Sequence, residues 1–185
     1  MIYVCSDWHF NHDRDFVWQE RGFHSVSEMN EEIVKRHNSI VTNEDDVYVL
    51  GDLCLGTDTE SNKQLIESLN GKIHIILGNH DTPTRIEMYS SCSNVVGVFG
   101  FGAMLKYKKY SFLFTHWPSN TSNYDEEKPL RCCLLNVCGH THTKDKYLEM
   151  KKGQLSYHVE MEANNCYPIS LDKIIDDFNF MRSNN

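Results

Sequence analysis

The sequence predicts an α/β fold that mixes parallel and antiparallel strands, and three observations support this prediction. Short apolar runs rich in β-branched residues, such as residues 72–76, recur through the first half of the chain. Amphipathic helical segments separate these runs, and a strand–helix–strand order implies right-handed parallel crossovers. Between residues 95 and 115, strand-like runs instead follow one another closely, which favours antiparallel pairing.

The predicted elements are bounded by residues that commonly begin or end helices. Ser25 and Glu28 have the capping-box spacing, so a helix is expected to begin there. Gly71 follows a second helix closely, and Pro83 stands at the start of a third. The predicted helices cover residues 25–40, 61–69, 82–89 and 170–178, and the predicted strands cover residues 2–6, 47–50, 72–76, 95–98, 101–107, 110–115, 134–138 and 155–159.

Length, charge and cysteine pattern bound the class of protein. The 185 residues are predicted to form one domain, 1–185, and no apolar run is long enough to span a bilayer. A net charge of -8 argues against a surface that grips a nucleic-acid backbone, but it is compatible with a small phosphorylated substrate at a locally positive metal site. The seven cysteines are scattered without a CxxC pair, which favours buried thiols in a reducing, cytoplasmic setting.

Polar side chains follow five of the predicted strands, at the point where each strand ends. Because α/β sheets bind ligands outside their strand ends, we expect these side chains to converge. They comprise Asp7, His9, Asp52, Asn79, His116, His140 and His142. Oxygen and nitrogen donors without thiolates suit Mn, Fe, Zn or Ni rather than a zinc-finger type of site. The set is large enough for two divalent metal ions, and the two carboxylate oxygens of Asp52 could bridge them.

The chemistry expected of such a centre is a displacement at phosphorus. Two-metal sites hold their ions about 3.5–4 Å apart and clamp both the attacking and the leaving oxygen. Divalent metals lower the pKa of bound water toward neutrality, so a metal-bound or bridging hydroxide is the expected nucleophile. A further histidine, His80, directly follows Asn79.

The order of these motifs resembles that of the calcineurin-like metallophosphoesterases. DxH, GD, GNHD, a lone His and GHxH occur in that order between Asp7 and His142, each after a predicted strand. The resemblance implies a sandwich of two mixed β-sheets flanked by helices. It implies a first metal on Asp7, His9, Asp52 and His142, and a second on Asp52, Asn79, His116 and His140. It also implies that His80 binds phosphate and protonates the leaving oxygen, and that Asp81 orients His80.

A narrower resemblance, to small phosphoesterases of bacteria and phages, rests on residues 9–12, 25–30 and 167–171. Two positions depart from the wider family. Thr115 replaces a glycine that is common before the lone His, and Trp8 fills the middle of DxH. Both are expected to change local packing more than chemistry, so the predicted ligand set is unaffected.

Three functions are compatible with these motifs. The first is metal-dependent hydrolysis of phosphomonoesters or phosphodiesters, with a nucleotide as one candidate substrate. The second is a nuclease of the same fold, which the acidic charge and the lack of a basic stripe disfavour. The third is a catalytically silent metal-binding scaffold, which the retention of every ligand and of His80 disfavours. No membrane partner is predicted, and the sequence gives no indication of the oligomeric state.

For several polar residues, the sequence is compatible with either a role at the site or a structural role. In the loop over residues 10–23, which has room for one helical turn, His12 and Arg14 could contact substrate phosphate or be ordinary loop residues. His37, on a helix stripe, and the acids at 44–46 are interpreted as structural. The lysines at 106–109 are interpreted as a solvated hairpin tip. The long polar segment 119–131 is expected to rim the site.

Overall fold

Two five-stranded β-sheets with flanking helices make up the described structure. The computed structural model describes residues 1–119, 134–151 and 154–184. The strands are β1 Ile2–Cys5, β2 Asp46–Leu50, β3 Lys72–Ile76, β4 Val95–Phe99, β5 Ala103–Tyr107, β6 Tyr110–Phe114, β7 Leu135–Cys138, β8 Tyr147–Lys151, β9 Gln154–His158 and β10 Ile169–Ser170. The helices are α1 Asp15–Glu20, α2 Val26–Ile40, α3 Thr59–Glu67, α4 Pro83–Ser91 and α5 Leu171–Asn184, with a 3₁₀ turn at Glu162–Asn164.

Both sheets are mixed. The first has the strand order β10-β1-β2-β3-β4, and its pairs are parallel except for the antiparallel pair β10–β1. The second has the order β5-β6-β7-β9-β8, with parallel pairs at its centre and antiparallel pairs at both edges. This architecture confirms the predicted α/β sandwich. In each sheet the parallel central strands direct their carboxyl ends, and the residues that follow them, to one edge.

Alternation along the strands explains why both faces of the first sheet are buried. Tyr3 and Cys5 of β1 belong to an apolar cluster shared with α2, α3 and α4. Val4, between them, belongs to a second cluster together with Phe112 and Phe114 of the second sheet. The two sheets are therefore held against each other by an apolar layer, and the strand ends on its two sides have fixed relative positions.

Side-chain caps determine where the helices begin. Ser25 Oγ accepts a hydrogen bond from the Glu28 amide at 3.1 Å, which confirms the predicted start of α2. Helix α3 begins at Thr59, earlier than predicted, because Asp58 accepts hydrogen bonds from the two following free amides. Helix α5 continues to Asn184, past the predicted end at residue 178.

Two strands of the structure are not predicted by the sequence. The short β10 pairs with β1, and β8 pairs with β9, so each forms on a strand that already offers unpaired backbone groups. The strand predicted over 101–107 begins at Ala103. That residues 1–185 form one domain stays a prediction. Among the described residues, no helix has the length and hydrophobicity to cross a bilayer.

Three groups interpreted as structural have structural partners. His37 is buried, and its Nε2 lies 2.8 Å from the carbonyl oxygen of Asn70. The Asp45 carboxylate contacts the N-terminal ammonium group and accepts a hydrogen bond from the Thr42 amide. At the hairpin between β5 and β6, Lys108 Nζ lies 2.6 Å from a carboxylate oxygen of Asp172. These contacts confirm the structural interpretation of His37 and Asp45.

Candidate metal centre

Every predicted metal ligand lies just after a strand, and the structure brings these residues together where the two sheets meet. The residues after β1, β2 and β3 carry four of the ligands, and those after β6 and β7 carry the other three. Backbone hydrogen bonds join neighbouring loops beyond the strands, from Asp7 N to Gly51 O (3.1 Å) and from His9 N to Asp52 O (3.0 Å). A bond from Gly139 N to His116 O (2.9 Å) does the same in the second sheet.

The first group of donor atoms comes from Asp7, His9 and His142, whose ligand atoms all lie within 4.8 Å of one another. Asp7 Oδ1 is 3.6 Å from His9 Nε2 and 3.7 Å from His142 Nε2. The Trp8 side chain between two of these residues is fully buried and packs beside Phe10. These three side chains could hold one cation.

The second group centres on His116. Its Nδ1 lies 2.7 Å from Leu50 O, and because a carbonyl only accepts, Nδ1 carries a hydrogen and Nε2 is the ring nitrogen that could bind a metal. Nε2 lies 2.9 Å from Asn79 Oδ1 and 3.1 Å from His140 Nδ1. Three donor atoms therefore face one another, as a second cation would require.

Asp52 lies between the two groups. Its Oδ2 is 3.8 Å from His9 Nε2 and 3.5 Å from His116 Nε2. Asp7, Asp52 and His116 also form a set whose ligand atoms lie within 4.8 Å of one another. The other oxygen, Oδ1, accepts a hydrogen bond from the His80 amide at 2.9 Å, which fixes the carboxylate plane.

Unpaired buried atoms show that these residues fit a metal. Within the described structure, Asp7 Oδ1 and both ring nitrogens of His9 are buried without a hydrogen-bond partner. Leaving a buried carboxylate oxygen or imidazole nitrogen unpaired is costly, and in native proteins such groups commonly bind an ion or an ordered water. A divalent cation would satisfy these atoms, and the nitrogen and oxygen donor set is one that such cations accept.

The pKa values of the site residues shift in both directions: burial raises that of Asp52, and although burial alone would lower that of His142, the carboxylates of Glu162 and Asp7 raise it. Burial alone would raise the pKa of Asp7, but the imidazoles of His9, His116 and His142 hold it well below its usual range. Burial lowers the pKa of His9 and of His140. The shifts of Asp7, His9 and His140 favour the carboxylate and the neutral imidazoles, which are the forms that coordinate metals.

The backbone at the ligands is unusual. Five of them have left-handed φ values: Asp7 (57°), His9 (54°), Asp52 (55°), His140 (78°) and His142 (51°). Residues other than glycine rarely adopt this region, and each instance costs on the order of 1 kcal/mol. Strand geometry ends with β1 at Cys5 and does not continue to His9. Instead, these kinks direct the side chains inward, and the surrounding hydrogen bonds hold the kinks in place.

Glycines in the GD, GNHD and GHxH motifs permit close approach. A Cβ at Gly51 would lie 2.5 Å from His116 Nδ1, and one at Gly78 would lie 2.3 Å from Asp52 Oδ1. A Cβ at Gly139 would lie 2.0 Å from Ser6 Oγ. Each glycine thus comes directly before one predicted ligand. Its missing side chain leaves space for a second predicted ligand or, at Gly139, for Ser6 beside Asp7.

The structure places His80 at the open side of the donor cluster. Its side chain is 45% exposed, and its Nε2 lies 3.9 Å from Asp52 Oδ2. Its carbonyl accepts a hydrogen bond from the Arg85 guanidinium, which also donates to Leu55 O at 2.8 Å. The imidazole is therefore accessible while the backbone that carries it is fixed.

Asp81 differs from the expectation that it orients His80. Its Oδ2 accepts hydrogen bonds from Gly78 N (2.7 Å) and Asp52 N (3.0 Å), and its Oδ1 accepts one from Tyr89 OH (2.7 Å). In the tight turn after β3, the Asp81 carboxylate thus binds the backbone beneath the site rather than the His80 ring. It ties the loop that carries Asp52 to the loop that carries Asn79.

Sequence reasoning missed the residues that support the ligands. Glu162 Oε1 lies 3.1 Å from His142 Nδ1 and accepts a hydrogen bond from Arg21 Nε at 2.9 Å. Burial alone would raise the pKa of Glu162, but His142 and Arg21 hold it at about 2. Ser6 Oγ lies 2.5 Å from Asp7 Oδ2. The available signal for Glu162 was its place shortly after the strand predicted over 155–159, the pattern that identified the ligands.

The loop residues His12 and Arg14, whose role the sequence left undecided, lie close to the site. His12 stacks on His9 with ring centroids 5.5 Å apart, and burial together with nearby His9 lowers its pKa to about 4. His12 and Arg14 line a polar groove of about 660 Å³ with residues 55–58 and Ser61. Whether they contact phosphate stays a prediction. Most of the predicted rim segment, residues 120–131, lies outside the described residues.

Comparisons with known proteins agree with this geometry. Residues 1–179 match the calcineurin-like phosphoesterase family. The chain is 34% identical over 180 residues to the uncharacterized protein MJ1445 of Methanocaldococcus jannaschii, which covers 94% of this chain and 89% of that protein.

Two solved structures share the fold. A protein of unknown function, AQ665 from Aquifex aeolicus, superimposes with a TM-score of 0.72 at 21% identity, covering 96% of this chain and 98% of that one. An archaeal phosphodiesterase superimposes with a TM-score of 0.50 at 17% identity, covering 88% and 86%. The match over residues 1–179, together with the Asp and His clusters at the strand ends, shows that this chain belongs to the calcineurin-like phosphoesterase family.

Proposed function

We propose that this protein is a dinuclear metal-dependent phosphoesterase that hydrolyses phosphomonoesters or phosphodiesters. The observation that supports it most is the place of Asp52, whose Oδ2 lies between His9 Nε2 (3.8 Å) and His116 Nε2 (3.5 Å). Asp7, His9 and His142 would hold one divalent cation with Asp52, while Asn79, His116 and His140 would hold the other. Mn, Fe, Zn and Ni are the candidates that suit this donor set.

Bound at these positions, the two cations would supply Lewis acidity toward the phosphoryl oxygens and would lower the pKa of bound water. The side chains of this protein supply the geometry. The buried carboxylates of Asp7 and Asp52 provide the negative charge that retains the cations. The left-handed kinks preset the ligand positions before substrate arrives, so little reorganisation is needed during the reaction.

His80 is the proposed general acid. During hydrolysis, a bond forms between the water oxygen and phosphorus while the bond from phosphorus to the leaving oxygen breaks. The leaving alkoxide needs a proton. The His80 side chain is 45% exposed, and its Nε2 lies beside the donor cluster, where a leaving group would lie. Asp81 acts on His80 only through the loops that it ties together, as a positioning residue.

The substrate is proposed to be a small phosphorylated molecule, with a nucleotide as one candidate, because the site is open and the net charge of -8 disfavours nucleic acid. A cytoplasmic location is proposed from the five cysteines of the described structure, all of which are free and buried.

Parallel assays of p-nitrophenyl phosphate and bis-p-nitrophenyl phosphate test the proposal. The protein is stripped with a chelator and reloaded with Mn, Ni, Zn or Mg. Hydrolysis that depends on metal and saturates at two equivalents per chain is expected. Release from the bis ester alone would identify a diesterase. Binding of fewer than two metals, or full activity after stripping, would contradict the proposal.

A further inference from the structure

We propose that Glu162 is a positioning residue for the metal ligand His142, and that Arg21 holds Glu162 in place. The inference rests on the proposed function, because it takes His142 as a ligand. Neither residue belongs to the motifs that identify the family, and they lie 141 positions apart in sequence.

The two nitrogens of the His142 ring face different partners. Nδ1 lies 3.1 Å from Glu162 Oε1, and Nε2 lies 3.7 Å from Asp7 Oδ1. When Nδ1–H donates to a carboxylate, the hydrogen is fixed on Nδ1 and the lone pair is fixed on Nε2. The ring is then held in the tautomer and the orientation that a cation beside Asp7 requires.

Arg21 connects Glu162 to the other side of the same site. Its Nε donates to Glu162 Oε1 at 2.9 Å, and its two terminal nitrogens donate to Trp8 O (2.8 Å) and Asp7 O (2.7 Å). The side chain of Arg21 is fully buried, and that of Glu162 is 8% exposed. One planar guanidinium therefore sets the distance between the loop of Asp7 and the 3₁₀ turn of Glu162.

The carboxylate should act on the metal through the imidazole. A carboxylate hydrogen-bonded to Nδ1 raises the basicity of Nε2 and restricts rotation of the imidazole ring. This restriction matters because the His142 side chain is 38% exposed. Loss of such a partner typically weakens metal binding by about 10- to 100-fold. A purely structural ion pair between Arg21 and Glu162 would instead change stability and leave metal affinity as it was.

The decisive variant is Glu162→Gln, which keeps the side-chain volume and removes the charge. Co(II) affinity is measured by competition with a chelator, and the visible absorption spectrum of bound Co(II) reports the ligand field. We expect one of the two sites to weaken by about 10- to 100-fold and its spectrum to change, while the other site keeps its wild-type affinity. Asp45→Asn is the matched control, because Asp45 is also a buried, paired carboxylate but binds the N-terminus. It should keep both affinities and the spectrum.

The outcomes separate this inference from the proposed function. If the wild-type protein does not bind two metals, the proposed function fails. If the wild type binds two and Glu162→Gln matches it in both affinities and in spectrum, the positioning role is refuted. Should Glu162→Gln fail to fold, Glu162→Asp keeps the charge for Arg21 but withdraws the oxygen from His142. The same site should then weaken, and wild-type affinity in that variant would overturn the inference.

Discussion

Replacing Gly139 by alanine would test how closely the two sheets approach at the metal centre. The new methyl group would lie 2.0 Å from Ser6 Oγ and 2.3 Å from Asp7 Oδ2, whereas ordinary van der Waals contact begins at 3.4 Å. Both atoms would have to retreat by more than about 1 Å. Asp7 cannot retreat that far and also keep the hydrogen bond that its Oδ2 accepts from His140 N at 2.9 Å. The φ angle of Gly139 is not left-handed, so the effect is steric rather than conformational.

The size of the effect follows from this displacement. A misplacement of about 1 Å at a reacting centre costs about 100-fold in rate, which corresponds to about 2.7 kcal/mol of transition-state stabilisation. The substrate is p-nitrophenyl phosphate or bis-p-nitrophenyl phosphate, whichever the wild type hydrolyses with the higher kcat/KM. We therefore expect Gly139→Ala to lower kcat/KM for that substrate by at least about 100-fold. Metal affinity, measured by chelator competition, should fall as well, because Asp7 is displaced from His9 and His142.

Gly100→Ala is the matched control. Nothing lies within 4 Å of the Cβ that it would add, and its φ is also not left-handed. Its metal affinities and kcat/KM should equal those of the wild type. If Gly139→Ala behaves like Gly100→Ala, the close approach of residues 6–7 to residue 139 is incorrect.

Three further predictions concern the acid, the bridge and a buried histidine. His80→Ala should leave metal content near wild type but lower turnover by about 100- to 10,000-fold on an ester with a poor leaving group; unchanged rates there would exclude it as the acid. Asp52→Asn should impair binding of both metals, so retention of two by elemental analysis would refute the bridge. Burial lowers the pKa of His37 from 6.5 to about 4, so the stabilisation from its neutral form is complete above pH 6.5 and is lost as pH falls toward 4. Urea unfolding should show the wild type losing about 3 kcal/mol more than His37→Asn between pH 7 and pH 4, and parallel losses would contradict this.

Much of the fold is predictable because local sequence and packing agree. Successive residues of β2 and β3 point to opposite faces of the first sheet, and apolar side chains are buried on both faces. The sequence therefore predicted the bounds of each strand to within one residue. Asp58 shows the limit at helix ends, because several nearby polar residues compete as caps. Strands β8 and β10 lack a strong pattern of their own and depend on the edges of β9 and β1. Such pairing is a property of the assembled sheet.

The candidate ligands were recognisable because metal coordination requires particular residue types and α/β sheets place their sites at strand ends. Their supports were not, because a hydrogen-bond partner can lie anywhere in the chain. Arg21 and Glu162 meet across 141 positions. Asp81, adjacent in sequence to His80, instead binds Gly78 N, Asp52 N and Tyr89 OH.

By itself, the sequence determined an α/β class with mixed strands and a candidate donor set, since strand periodicity and the residue types that bind metals are both local properties. The order of the motifs indicated the family, and the resemblance to that family implied the two-sheet sandwich. Only the tertiary structure decided how those donors are held. The left-handed kinks at Asp7 and His9, the space beside Gly139 and the path from Arg21 through Glu162 to His142 all depend on which backbone segments pack together. Contacts between segments far apart in sequence follow from packing the whole chain, and no local pattern encodes them.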